Sequence, residues 1–224
     1  MLYSFLSNTA LFRDIREDEA EDLLGCLDAR EKHYRKGEII YRAGDAISEI
    51  GLIVSGSVNI IVNFYWGNSN IFGHASAGEL FAEAYAAIPG KELLCDVVAA
   101  EESDILFVDM ERLLTTCKKG CAYHHQLIHN LLQISANKNL ALFLRMMYTA
   151  PKSIRERVML YLSAMAQETQ SDHFAIPFSR QQLADYLGVD RSALSKELSR
   201  MQKDGLLSYC KNYFALNSNF SKRF

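Results

Sequence analysis

No stretch of this sequence stays apolar for the twenty or so positions a membrane-spanning helix needs, so no span is expected. The opening residues, Met1-Leu2-Tyr3-Ser4-Phe5-Leu6, lack the basic region and small-residue cleavage site of a secretory leader. Cysteine is scarce: Cys26, Cys95, Cys117, Cys121 and Cys210 are five, an odd number, and widely scattered. That pattern fits reduced thiols and not a disulfide framework, and with the other absences it points to a cytoplasmic protein. Catalytic signatures are missing as well. There is no Ser-His-Asp arrangement, Walker loop or nucleotide-binding glycine fingerprint, and the β-rich region holds only His33 and His74, too few for a cupin-like metal centre. An enzyme is therefore not expected.

What remains is an ordinary globular composition, 49% hydrophobic and 23% charged, which excludes disorder, collagen and coiled-coil rods. A chain of 224 residues suggests two modules. The net charge of −3 is unevenly spread. Residues 1–150 carry 13 Lys+Arg against 20 Asp+Glu, whereas residues 151–224 carry 11 against 7. A basic rear third fits contact with a polyanion, and it also fits an accidental imbalance of solvated charge.

The chain changes rhythm three times. Asp18–Leu27 has Ala20, Leu23, Leu24 and Leu27 at helical spacing. From Gly37 to Asp109, glycines 37, 44, 51, 56, 67, 73 and 78 punctuate short apolar runs. The clearest strand is Val58–Phe64, in which Val58, Ile60, Val62 and Phe64 share a face, followed by a turn at Trp66-Gly67-Asn68 and a further run at Ile71-Phe72. Ile39–Tyr41, Leu52–Val54, Val97–Ala99 and Ile105–Val108 complete a set of strands spaced as in a sandwich or barrel. Tyr123–Met147 then runs without Gly or Pro, a helix of roughly 37 Å. Its periodicity is compatible with packing on a second copy of itself or with lying back on its own barrel. Ala150-Pro151 ends it. Ser153–Ala166 is a further helix with Val158, Tyr161, Leu162 and Met165 on one face, Gln167–His173 a loop, and Phe174–Phe178 a short strand.

The most informative segment is Ser179–Leu198. Ser179 and Gln182 form a capping box, Leu183 and Leu187 an inner stripe, and Ala184 leaves room for a second helix. Gly188 supplies a sharp turn and Asp190 caps the next helix, which Gly205 ends. Two short helices so joined form a DNA-binding helix-turn-helix. On the second, Leu194, Leu198 and Met201 face the core at about 100° per residue, while Arg191, Ser192, Ser195, Lys196 and Ser199 face outward. Two cations and three small hydroxyls suit base edges in a major groove, although such a face also occurs on plain surface helices. Leu206–Cys210 and Tyr213–Leu216 then make a hairpin over Lys211-Asn212, with Asn212 expected to take the left-handed turn conformation and Lys211 placed to meet phosphate. The module is a winged helix-turn-helix.

This order of pieces resembles the Crp–Fnr family of bacterial transcription regulators, from Leu11 to Leu216. The likeness rests on Arg35-Lys36-Gly37-Glu38-Ile39-Ile40 with Ala43-Gly44-Asp45, on Ile53-Val54-Ser55-Gly56-Ser57-Val58, on Gly78-Glu79-Leu80-Phe81, and on the helix-turn-helix. It implies an α+β chain: a cyclic-nucleotide-binding-like double-stranded β-roll (jelly-roll-like) over residues 1–120, a dimerisation helix over 121–149, and the winged helix-turn-helix over 150–224. It also implies a homodimer on a palindromic stretch of double-stranded DNA, with RNA polymerase as a partner. By the same resemblance, Ser179, Arg180 and Gln181 would contact phosphate, and Arg191, Ser192, Ser195 and Lys196 would contact bases.

Two positions depart from the family. Glu197 stands where an apolar residue is usual, which would rotate the recognition helix slightly. In the effector pocket, drawn from Gly78, Glu79, Leu80, Phe81, Leu93, Leu94 and Cys95, the residues Leu93-Leu94-Cys95 replace the arginine and hydroxyl that grip a cyclic phosphate in members that bind cyclic AMP. A buried phosphodiester needs a cation or several donors. The expected effector is therefore an unidentified, less charged small molecule, or none. The alternative is a metal-, haem- or redox-sensing regulator built on Cys117, Cys121, His124, His125 and His129, since His125 and His129 share a helical face. Iron–sulfur members of the family carry several N-terminal cysteines, whereas only Cys26 lies in the first ninety residues here.

Overall fold

The computed structural model describes residues 2–64, 69–115, 122–217 and 220. The chain forms two compact units that divide between Asn137 and Lys138.

In the first unit, helices α1 (Leu2–Ser7) and α2 (Glu17–Leu27) precede eight strands. These are β1 (Arg30–Tyr34), β2 (Ile39–Tyr41), β3 (Glu49–Ser55), β4 (Ser57–Asn63), β5 (Ser69–Ser76), β6 (Leu80–Phe81), β7 (Asp96–Ala99) and β8 (Ser103–Asp109), with the short helix α3 (Glu83–Ala86) after β6. Helix α4 (Met110–Leu114) follows β8, and the long helix α5 spans Ala122–Thr149. The strands make two antiparallel four-stranded sheets, ordered β1-β8-β3-β6 and β2-β7-β4-β5. This is the expected β-roll.

Strand alternation divides the apolar residues between two cores. On β3 and β8, Ile53, Ile105 and Phe107 point between the sheets and join Tyr34, Val58, Phe81, Val97 and Ala99. Their neighbours Ile50, Leu52, Leu106 and Val108 point outward under α1, α2, α4 and the start of α5. Inside the roll, the rings of Tyr34, Tyr41, Phe81 and Phe107 meet edge to face at 5.9–6.5 Å. Gly51 is what lets Phe81 in, because a Cβ at residue 51 would lie 2.1 Å from the Phe81 ring.

Helix α5 has two dissimilar flanks. On one, Leu127 and Leu131 are buried against the roll, and the buried Asn130 amide donates to the carbonyls of Leu11 and Arg13 at 2.8 and 2.7 Å. On the other, Leu132, Leu140, Phe143, Met146 and Met147 are exposed, as is Leu142 beside them. The front of the helix thus lies back on its own roll while an apolar stripe along its other side is open.

The second unit contains the last turns of α5, then α6 (Ile154–Thr169), β9 (His173–Ala175), α7 (Arg180–Leu187), α8 (Arg191–Lys203), β10 (Leu207–Cys210) and β11 (Tyr213–Leu216). The three strands pair in the order β10-β11-β9. Tyr148, Val158, Leu162, Leu183, Leu187, Leu194, Leu198, Met201 and Phe214 form its core.

Some expectations need adjustment. Helix α6 runs through Gln167–Thr169, expected as loop, and is stopped by Gln170 at φ 51°. Strand β9 ends at Ala175, before Pro177, which has no amide to donate. In the wing hairpin the left-handed residue is Lys211, at φ 54°, and not Asn212. Asn212 instead joins the hairpin to the chain after β9, its side-chain amide donating to the Ile176 carbonyl and its own carbonyl accepting from the Ile176 amide. The turn at Trp66-Gly67-Asn68 lies outside the described residues.

Candidate nucleic-acid interface

The two helices of the reading head are set by their caps. The Ser179 hydroxyl accepts from the Gln182 amide at 3.3 Å while the Gln182 side chain accepts from the Ser179 amide at 2.8 Å, closing the expected capping box on α7. Gly188 ends α7 at φ 63°, a left-handed conformation that L side chains rarely adopt. The Arg157 guanidinium of α6 then holds the turn, donating to the carbonyls of Pro151, Leu187 and Gly188 at 2.8, 2.9 and 3.1 Å. Asp190 starts α8, its carboxylate accepting from the Ser192 hydroxyl at 2.5 Å and the Ala193 amide at 2.9 Å. The hydroxyl first, and then the amide, hold this carboxyl below its ordinary range.

Helix α8 is sharply two-sided. Leu194, Leu198 and Met201 are fully buried. Arg191, Ser192, Lys196 and Ser199 are exposed and Ser195 is half-buried, so the structure brings all five outward candidates onto one face. Sequence reasoning stopped that face too early. Arg200 and Lys203 continue it, lining a shallow concavity with Ser195, Lys196 and Ser199. The missed signal was their position in the last turn, where cations also complement the helix dipole.

A second missed residue, Tyr209 of β10, joins the parts. Its ring stacks on Phe214 and carries the Arg180 guanidinium at 4.9 Å, and its hydroxyl lies 3.3 Å from that of Ser199. Arg180 also donates to the Lys211 carbonyl at 3.2 Å, which ties the start of α7 to the wing tip. Burial lowers its pKa from the usual guanidinium value, against the opposing effect of Tyr209. Pro177, Phe178, Ser179, Arg180, Lys211 and Asn212 together line one cleft. Gln181 is exposed and donates to Asp185 at 2.8 Å.

The seven effector-pocket candidates do not line a common surface. Leu80 faces the helices outside the roll, whereas Phe81 fills its interior. Gly78 and Glu79 hydrogen-bond through their backbones to Ile53, and the Glu79 carboxylate accepts from the Ser76 amide. Leu93 is buried and bonded through its backbone to Gly44 and Asp45, Leu94 is 70% exposed, and Cys95 is buried, its thiol pushed up by burial and then by Asp96.

Of the metal-ligand candidates, Cys117 and Cys121 lie outside the described residues. His124 is buried, with Nε2 donating to the Arg112 carbonyl at 3.1 Å, whereas His125 is exposed. His129 is hydrogen-bonded to Gln133 on its own helix.

Comparison with known proteins agrees with this layout. Residues 31–119 match the cyclic nucleotide-binding domain, and residues 156–217 match the Crp-like helix-turn-helix domain. The chain belongs to the Crp–Fnr family. Among curated Crp–Fnr relatives, it is 23% identical over 211 residues to the fumarate and nitrate reduction regulatory protein of Escherichia coli strain K12, covering 92% of this chain and 81% of the relative. It is 24% identical over 207 residues to the electron transport regulator A of Shewanella oneidensis, covering 89% and 78%. The catabolite activator protein of Thermus thermophilus superposes with a TM-score of 0.55 at 20% identity, covering 96% of this chain and 99% of that one. A solved complex of CprK with OCPA gives 0.62 at 15% identity, covering 91% and 94%. As a Crp–Fnr member the protein is a bacterial DNA-binding transcription regulator and not an enzyme. Among its described residues, no helix is long and apolar enough to cross a membrane.

Glu197, the Crp–Fnr departure on α8, is not turned toward solvent. Its carboxylate accepts from Arg155 of α6 at 2.6 Å and lies 3.5 Å from Arg200. Leu198 supplies the apolar packing that the family usually finds at the neighbouring position.

Proposed function

We propose that this regulator acts in the cytoplasm as a homodimer on a two-fold symmetric operator, with RNA polymerase as the partner it recruits or excludes. The observation that carries the reading is the outward face of α8, where cations and small hydroxyls stand on a helix whose other side carries the fully buried Leu194, Leu198 and Met201. Arg191, Ser192, Ser195 and Lys196 contact base edges, since arginine and lysine suit guanine and serine fits several edges. Ser199, Arg200 and Lys203 extend that contact. Ser179, Arg180, Gln181 and Lys211 meet phosphate at the cleft between α7 and the wing.

The exposed stripe of α5 supports the dimer. At about 100° per residue, Leu132, Leu140, Phe143, Met146 and Met147 fall on one flank, and a second copy of the same stripe would cover them. The two α8 helices would then read half-sites about 34 Å apart. Any effector held beside Leu93-Leu94-Cys95 is a small molecule without a phosphodiester charge, because these residues offer no cation, and the alternative is that the roll holds none.

Selection of bound duplexes from a random pool by the purified protein tests this. Two inverted half-sites spaced by one helical turn are expected, and a single asymmetric site would refute the two-fold arrangement.

A further inference from the structure

Arg155 makes no contribution to the outward face of α8, yet it holds that helix at two points. Its Nε donates to Glu197 at 2.6 Å in the middle of the helix, and its Nη1 is 2.7 Å from the Asp204 carboxylate at the C-terminal cap. Glu197 and Asp204 are seven positions apart on the helix, about 10 Å of axial rise, and their side chains converge on the one guanidinium. Side-chain exposure is 30% for Arg155 and 14% for Glu197, so the pair is largely shielded.

The apolar contacts of Leu194, Leu198 and Met201 keep α8 against the core, but burial is non-directional and leaves small rotations cheap. A forked guanidinium is directional. Glu197 stands on the flank of α8 beside the core stripe, so its bond to α6 opposes rotation, and the bond at Asp204 opposes tilt. The geometry matters for reading. A rotation of about 20° carries an atom on the helix surface roughly 2 Å, far beyond what a hydrogen bond to a base edge tolerates.

We propose that Arg155 and Glu197 are a positioning pair that sets the rotation of the recognition helix and, through it, the base preference of the protein. Neither residue touches a base. The pair also neutralises a carboxylate that is next in sequence to Lys196 and would otherwise repel DNA phosphate. The inference rests on the assignment of α8 as the reading helix.

The test uses the full-length protein and the preferred duplex obtained from a random pool, with a scrambled duplex of equal length as reference. The readout is the ratio of the two affinities at one salt concentration, for wild type, Arg155→Gln, Glu197→Gln, the double variant and Arg155→Lys. Each neutral single variant is expected to lose about tenfold in the ratio, the size of one mismatched base pair. The double variant is expected to lose no more than either single one. Arg155→Lys keeps the charge without the fork and is expected to recover part of the ratio; it carries the test should Arg155→Gln fail to fold. Met165→Ala, a packing change in the same unit, controls for stability and is expected to lower the melting temperature without moving the ratio. Unchanged ratios, additive losses, or a Met165→Ala ratio that falls as far would overturn the proposal. A wild type that selects no duplex would overturn the DNA-reading assignment itself, a result distinct from variants that keep wild-type selectivity.

Discussion

Arg191 and Arg180 look alike in sequence but sit in different surroundings. Arg191 is exposed at the first turn of α8. Replacing it with alanine is expected to cost about 1–3 kcal/mol at one preferred base pair and to relax specificity there, as measured by binding to single-substituted duplexes. Arg180 is half-buried on Tyr209 and bonded to the wing tip. Arg180→Ala should weaken binding to all sequences alike and flatten the salt dependence, because it removes the proposed phosphate contact and frees the wing. Uniform loss in both variants would refute this division. Asp190 gives the reading head an acid limit. Its folded pKa is depressed below the ordinary 3.8, so the capping contribution is complete above the usual carboxylate range and is lost as pH falls through the lower folded value. Amide exchange at Ala193 should accelerate there in wild type, and Asp190→Asn, which cannot titrate, should show no such acid step.

At the scale of elements, the sequence was most informative where backbone chemistry is local. The caps at Ser179 and Asp190 were legible because each side chain lies within three residues of the amide it satisfies, and the turn at Gly188 because a left-handed φ favours glycine. Strand β1 was not. Four of its five residues are exposed, so it shows no apolar alternation and is identified only by its pairing with β8. The same limit hid Tyr209 and Arg155, whose links to Ser199, Arg180, Glu197 and Asp204 span 10 to 49 residues. The effector candidates were read as one cassette, but alternation on β6 sends Leu80 and Phe81 into different cores. Gly51 in β3 looked like one more turn glycine, whereas its role is close approach. Gly51→Ala should cost about 1–3 kcal/mol through overpacking against Phe81, seen as a lower melting temperature that Phe81→Leu in the same background partly restores. For α5, Leu132→Glu with Phe143→Glu should raise the dimer dissociation constant by on the order of a hundredfold, since burying unpaired carboxylates is costly. Sedimentation equilibrium checks this, and a dimer of undiminished strength would place the interface elsewhere.

For the whole molecule, charge is divided along the chain much as the fold is. The acidic stretch 1–150 contains the β-roll, and the basic stretch 151–224 contains the helix-turn-helix and the wing. Calorimetry with cyclic AMP should show no submicromolar binding, because a phosphodiester placed beside Leu93 would be desolvated without a counter-charge. Tight binding would mean that a cation from elsewhere in the molecule supplies it.

Tyr148, near the end of α5, is packed edge-on against Tyr161 of α6 and lies close to Tyr186 of α7, and Arg145 one turn earlier donates to the Asp185 carbonyl. The final turns of the long helix therefore travel with the reading head as one piece. A chimaera that exchanges DNA specificity with another regulator should be joined near Asn137, inside an uninterrupted helix, and not at the proline. A joint at Ala150 would strip a tyrosine from the transplanted module and leave its aromatic socket open to water.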